Sequence, residues 1–168
     1  SVLPDNPPFV EITDPGEDIE IPLDVALLIQ ADIIDDYGIA KSSLYYNYIR
    51  KSESASDSNW HFIALPHTFN QKRLTLKHSG DFNHLPVAFD DRLAYFIQVE
   101  DNNNITGPGI GKSKTFYIHF PSLEEMFDNF AEQENEQIDK MDDVAKQSEE
   151  LKKELEKINR ELKRADEL

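Results

Sequence analysis

Apolar residues recur in short runs of strand period through the first two thirds of the chain, and at helical spacing through the last third. Phe9-Val10-Glu11-Ile12 reads as an opening strand that ends in the turn sequence Asp14-Pro15-Gly16. Val25 to Ile34 is apolar on both faces over much of its length, the pattern of a central buried strand. Leu44 to Ile49, Trp60 to Leu65, Arg73 to Leu76, Leu93 to Val99 and Lys114 to Phe120 complete the series. Turn-rich stretches such as Ser52 to Asn59 and Asn102 to Gly111 separate them. No helical period intervenes, which argues against a parallel βαβ fold. The expectation is a mainly β domain, an antiparallel Ig-like or fibronectin-like sandwich of about seven strands.

The period changes within Phe120-Pro121-Ser122-Leu123-Glu124-Glu125. Ser122 followed three residues later by Glu125 is a capping box, so a helix opens here. No proline or glycine follows before Leu168. At 1.5 Å per residue the helix would be about 70 Å long, too long for so small a domain to bury. One heptad series runs Phe127, Glu134, Met141, Ser148, Leu155, Leu162, and the other Leu123, Phe130, Gln137, Val144, Leu151, Ile158, Ala165. Steps of three and four alternate, which predicts a coiled coil with Met141, Val144, Leu151, Leu155, Ile158 and Leu162 as its firm seam. Glu134, Gln137 and Ser148 soften it. The domains expected are therefore residues 1–121, the sandwich, and 122–168, the helix.

Charge divides the helix in the same way. Residues 122–143 hold 9 acidic and 1 basic side chain, net −8, whereas 144–168 hold 7 of each. Glu136–Lys140, Asp142–Lys146, Glu149–Lys153 and Glu156–Arg160 are favourable i,i+4 pairs, each worth about 0.3–0.5 kcal/mol. A parallel self-pair would set Glu161 against Asp166, so the flanking charges leave the partner open: a second copy, or further helices of the same protein.

Over the whole chain, 17 basic against 33 acidic residues give a net charge of −16. That balance argues against binding phosphate backbones or anionic membrane surfaces. No cysteine is present, which removes disulfides, thiol catalysis and thiolate zinc sites. No apolar run approaches the length of a membrane span, and no signal-peptide core appears. The chain starts at Ser1 and stops inside a helical pattern, so it reads as a piece of a larger protein.

Three polar groupings invite chemistry. In a seven-strand sandwich the loops after the second and sixth strands share a pole, so Asp32, Asp35 and Asp36 would meet Glu100, Asp101 and Asn102 to Asn104. Clustered carboxylates suit calcium, and Asp35, Asp36, Glu100 and Asp101 are its candidate ligands, the competing role being turn formation. His61, His67, His78, His84 and His119 lack the spacing of a zinc pair. Ser42 and Ser43 lie near Asp35 and Asp36 in sequence but sit on no nucleophile elbow, and Gly107-Pro108-Gly109-Ile110-Gly111 lacks the lysine of a phosphate loop. No catalytic residue is assigned. Tyr46 and Tyr48 fall on one strand face and Tyr45 on the other, so an exposed face could take a sugar or a protein. Asn104-Ile105-Thr106 is a glycosylation sequon.

Ala31-Asp32-x-x-Asp35-Asp36-Tyr37-Gly38-Ile39 with Leu44-Tyr45-Tyr46, and Tyr95-Phe96-Ile97-x-Val99-Glu100-Asp101-Asn102, resemble strand passages of bacterial Ig-like domains. Phe120-Pro121-Ser122-Leu123-Glu124-Glu125-Met126 running into an acidic coiled coil resembles a family of unknown function: large, membrane-anchored coiled-coil proteins of Gram-negative bacteria. The resemblance implies an extracytoplasmic fragment whose membrane anchor lies outside this sequence, and it supplies no catalytic residues.

The function expected from these features is a non-catalytic structural or protein-interaction module, a head on a stalk, working through its coiled coil and not contacting the membrane itself. Two alternatives stand beside it: a calcium-dependent adhesion or ligand-binding domain, and an accessory domain of an enzyme whose catalytic part is absent.

Overall fold

Alternation of apolar and polar residues dictates short strands, and nine form among the described residues, 5–23, 25–54, 59–80 and 84–166 of the computed structural model. They are β1 (Phe9–Asp14), β2 (Ile19–Glu20), β3 (Leu27–Ile34), β4 (Ile39–Ile49), β5 (His61–Ala64), β6 (Arg73–Gly80), β7 (Arg92–Asp101), β8 (Ile110–Lys112) and β9 (Phe116–His119). A single helix, α1 (Leu123–Asp166), follows. The chain divides into two units, Ser1–Ser122 and Leu123–Leu168.

One sheet has the order β1-β3-β6 and is antiparallel. The other has the order β2-β9-β7-β4-β5 and is mixed, because β2 runs parallel to β9. β8 and β9 share one edge of β7: Gln98–Glu100 pairs with β8, and Arg92–Tyr95 with β9. The break between them is bridged by Ser113, whose N–H donates to the Ile97 carbonyl at 2.9 Å while its hydroxyl accepts from the Ile97 N–H at 3.0 Å. β8 and β9 are thus one long strand with a kink.

The inner faces of both sheets supply a single core. Val10, Ile12, Ile29, Ala31, Ile33 and Leu76 come from the first sheet, and Leu44, Leu93, Tyr95, Ile97, Val99 and Ile118 from the second. β3 is central in its sheet, as its apolar run predicts, but it is not buried on both faces. Ile29, Ala31 and Ile33 face the core, while on the other face of this three-stranded sheet Leu28 and Ile34 are exposed among the described residues.

The end of β9 is anchored at the pole opposite the β3–β4 loop. His119 pairs with Arg92 at the start of β7, the Asp90 N–H donates to the Phe120 carbonyl, and the Phe120 N–H donates to the Asp91 carbonyl. Asp91 itself is buried and accepts from the Ala88 N–H, the Lys51 N–H and the Arg50 guanidinium. The helix begins directly after Ser122, where the capping pattern puts its start, with Glu124 and Glu125 in the first turn and Lys163 and Arg164 in the last, as the helix dipole favours.

The turn expected at Ser52 to Asn59 includes residues 55–58, and the predicted helix runs on to Leu168 through residues 167–168; both short stretches lie outside the described residues.

Candidate functional site

Three loops and the N-terminal segment meet beyond the ends of β3 and β7. Asp35 opens the β3–β4 loop, where one of its carboxylate oxygens, Oδ2, accepts the N–H groups of Tyr37 and Gly38. Gly38 has φ 135°, and a Cβ there would sit 3.0 Å from the Asn70 backbone, so only glycine lets these two loops close on each other. Asn102 locks the third loop to both: its N–H donates to the Gly38 carbonyl, and its amide donates to Asn70 Oδ1 at 2.6 Å. Asp101 ends β7 and holds the β7–β8 loop, its Oδ1 accepting from the Asn103 and Gly109 N–H groups, each at 2.9 Å.

Two carboxylates at this pole are therefore half satisfied and nearly sealed from water. Asp35 is 5% exposed and Asp101 2%. Asp35 Oδ1 and Asp101 Oδ2 have no hydrogen-bond partner, and Asp5 Oδ1 shares that condition. Asp5 belongs to the segment that passes this pole before β1, and its carboxyl lies in the company of Asp36, Asp101 and Asn103. Partial desolvation, then the charges of Asp101 and Asp36, push the Asp5 carboxyl above its ordinary value. Among the described residues these carboxylates do not form a trio with oxygens all within 4.8 Å of one another.

Of the sequence-predicted calcium ligands, Asp35, Asp36 and Asp101 come to this pole and Glu100 does not. Side chains alternate along β7, so Asp101 continues the inward row of Leu93, Tyr95, Ile97 and Val99 while Glu100 points the other way, pairing with Lys41 at 3.3 Å. Asp32 is likewise outward, accepting from the Thr75 hydroxyl on β6. Asp5 is the residue that sequence reasoning missed. Its segment carries no strand or turn pattern that would tie it to the distant loops.

The glycine-rich run has a packing role. A Cβ on Gly109 would collide with Asp101 Oδ2, and one on Gly111 with the Pro8 carbonyl, so the bare backbone makes room for the N-terminal segment. Ser42 does meet a histidine, with its Oγ 2.9 Å from His67 Nδ1, but Ser42 is 3% exposed and its hydroxyl donates to the Leu65 carbonyl. The pair ties the β5–β6 connection to β4. On the outer face of the second sheet, Tyr45 stacks on Phe96 at 5.2 Å, Trp60 meets Phe96 edge-on at 4.8 Å, and Lys112 lies over the same ring. Tyr46 and Tyr48 pack against the core on the other face. Asn104, Ile105 and Thr106 are exposed.

The helix presents its seam bare. Every side chain from Phe127 to Ala165 is exposed, and Met141, Val144, Leu151, Leu155, Ile158 and Leu162 are 52–72% exposed. Ile138, beside the soft seam position Gln137, adds an apolar residue that the heptad count passes over. No helix among the described residues is long and apolar enough to cross a membrane.

No protein-family model, no curated protein and no solved structure matches this chain.

Proposed function

We propose that this chain is a non-catalytic interaction module: an Ig-like β-sandwich followed by a coiled-coil helix that pairs antiparallel with the helix of a second copy. The Ig-like reading is supported by strand order. β1 pairs with β3 in one sheet, the chain crosses at Asp14-Pro15-Gly16, and β2 then runs parallel to β9 in the other, which is how an Ig-like first strand splits between two sheets.

The bare seam of α1 carries the functional reading. An apolar stripe confined to two heptad positions is too narrow for packing against a globular core and suits a partner helix. Charge favours the antiparallel direction. In a parallel self-pair the net −8 of residues 122–143 would face its own copy, whereas an antiparallel pair sets it against the balanced half. With Met141 opposite Val144 of the second copy, Phe127 faces Ile158, Phe130 faces Leu155, and the polar positions Gln137 and Ser148 meet each other. Only Glu134, facing Leu151, is mismatched.

Because the chain has no cysteine, introduced ones are unique probes. Phe130→Cys and Leu155→Cys chains, mixed and oxidised, should give the hetero-disulfide, with neither forming it alone. Homodisulfides from each variant alone would overturn the antiparallel direction, and a strict monomer by analytical ultracentrifugation would overturn self-pairing.

Ser42 and His67 do not make a reactive pair, because Ser42 is buried and its hydroxyl donates to the Leu65 carbonyl. The resemblance of the Phe120–Met126 passage to membrane-anchored coiled-coil proteins supplies the setting we propose, the extracytoplasmic part of a larger anchored protein. Protease digestion of intact spheroplasts carrying the parent protein tests this; full protection of the fragment would exclude it.

A further inference from the structure

We infer that the β unit binds a small, uncharged aromatic molecule bearing one hydroxyl group, in an apolar cavity between its two sheets, with the hydroxyl on His78. The cavity has a volume of about 220 Å³ and lies between β5 and β6, an edge strand from each sheet. Ile29, Leu44, Leu93 and Ile118 form its walls, and Ile63 of β5, 39% exposed, stands at its open end.

Strand parity brings His78 to this cavity. Side chains alternate along β6, so His78 continues the inward row of Leu74 and Leu76 and sits opposite Ile29 of β3. An aliphatic residue would suit such a position. His78 is instead a half-buried part of the lining, and it makes no hydrogen bond or ion pair among the described residues. Burial pushes its imidazole below the ordinary value, so at neutral pH the ring is uncharged and offers one N–H and one lone pair. Tyr95, 1% exposed, also lines the cavity, and its hydroxyl is a second buried polar group without a partner. Polar groups withdrawn from water without partners are costly, and a ligand that supplies one removes that cost.

The lining also selects the ligand. It contains no Asp, Glu, Lys or Arg, so nothing there would compensate a carboxylate or an amine. Water is a poor occupant, because each molecule needs two to four polar partners and the walls are aliphatic. An apolar cavity of about 150 Å³ takes up benzene, so one of about 220 Å³ has room for about eight or nine heavy atoms. A six-membered ring with a hydroxyl and a methyl group meets that count. The rings of Tyr46 and Tyr95 in the lining favour an aromatic ligand over an aliphatic chain, which would also lose rotamer freedom on binding.

The test titrates the whole chain with p-cresol, toluene and benzoate by calorimetry and locates binding from methyl resonances by NMR. Binding of p-cresol should be about tenfold tighter than that of toluene, the contribution of one hydrogen bond, and benzoate should not bind. Methyl signals of Ile29, Ile63 and Ile118 should shift, and those of Leu155 and Ile158 on the bare helix seam should not. His78→Leu removes the ring nitrogens at similar volume, so it should bind p-cresol no better than toluene while holding toluene as the wild type does. If that variant fails to fold, Ile63→Trp, at the exposed end, blocks the entrance and should weaken p-cresol at least about tenfold. No p-cresol binding at millimolar concentration, equal affinity for p-cresol and toluene, or measurable benzoate binding would each overturn the assignment. So would methyl shifts on the helix seam in place of the cavity, or wild-type affinity for p-cresol in Ile63→Trp or a folded His78→Leu.

Discussion

Replacing Leu155 by alanine tests the seam by arithmetic. Leu155 is 56% exposed in the isolated chain and faces Phe130 of the second copy in the proposed pair. Burying a leucine side chain contributes about 1.5–3 kcal/mol, so truncation to alanine removes about 2 kcal/mol from each chain. A self-pair contains the site twice, and the loss is about 4 kcal/mol. At 1.4 kcal/mol per decade, the dissociation constant should rise about a thousandfold. Alanine has the higher helix propensity, so weakened association cannot be blamed on a weakened helix. Sedimentation equilibrium over a wide concentration range measures the change, and Trp60 fluorescence should show the β unit melting as before. A rise in the dissociation constant below about tenfold would refute the claim that Leu155 is buried in the pair.

Other expectations follow from the β unit. Asp91→Ala takes the acceptor from the Ala88 and Lys51 N–H groups and the partner from Arg50, at a cost of about 2–4 kcal/mol, read as a lower urea midpoint with unchanged slope by Trp60 fluorescence. A midpoint within error of wild type would show that this anchor beside the end of β9 does not matter. Gly111→Ala drives a methyl into the Pro8 carbonyl, a backbone atom that cannot step aside, and should cost about 2 kcal/mol in the same assay. At alkaline pH, burial and then the nearby Asp18 and Asp14 push the Tyr95 hydroxyl up, while burial and the neighbouring Tyr46 push Tyr48 up to about 12. The folded state therefore keeps protons that the unfolded chain gives up near pH 10, so stability is full below that pH and falls as pH rises through 10 to 12. A urea midpoint by Trp60 fluorescence that stays unchanged between about pH 9 and about pH 11 would contradict this coupling.

The residues that declared themselves in the sequence did so through local period. The seven strand segments each overlap an observed strand because alternation of bulky apolar residues is written within a few positions. The two strands that escaped depend on partners. Ile19–Glu20 is too short to signal by itself and exists only as the neighbour of β9, and Ile110–Lys112 hides behind glycines whose purpose is the passage of Pro8. The misjudged burial of β3 has the same origin. Its sequence carries enough apolar residues for two covered faces, but the number of layers around a sheet is a property of the whole fold.

The candidate site shows the boundary more finely. That Asp101 faces inward was already implied by the row Leu93, Tyr95, Ile97, Val99, whose parity it continues, and the same row turns Glu100 outward. Reading parity through the end of the strand, where composition turns acidic, would have separated the two. Asp5 could not be reached by any such rule, because its relation to Asp36 and Asp101 is made by the passage of a patternless segment across the pole. This explains why the acidic loops alone look like turns. Each of Asp35 and Asp101 does secure its own loop with one oxygen, as a turn residue should, and keeps the other buried without a donor. Turn formation therefore accounts for one oxygen of each carboxylate, and the same hydrogen bonds fix where the other must lie, a consequence that the turn sequences alone do not announce.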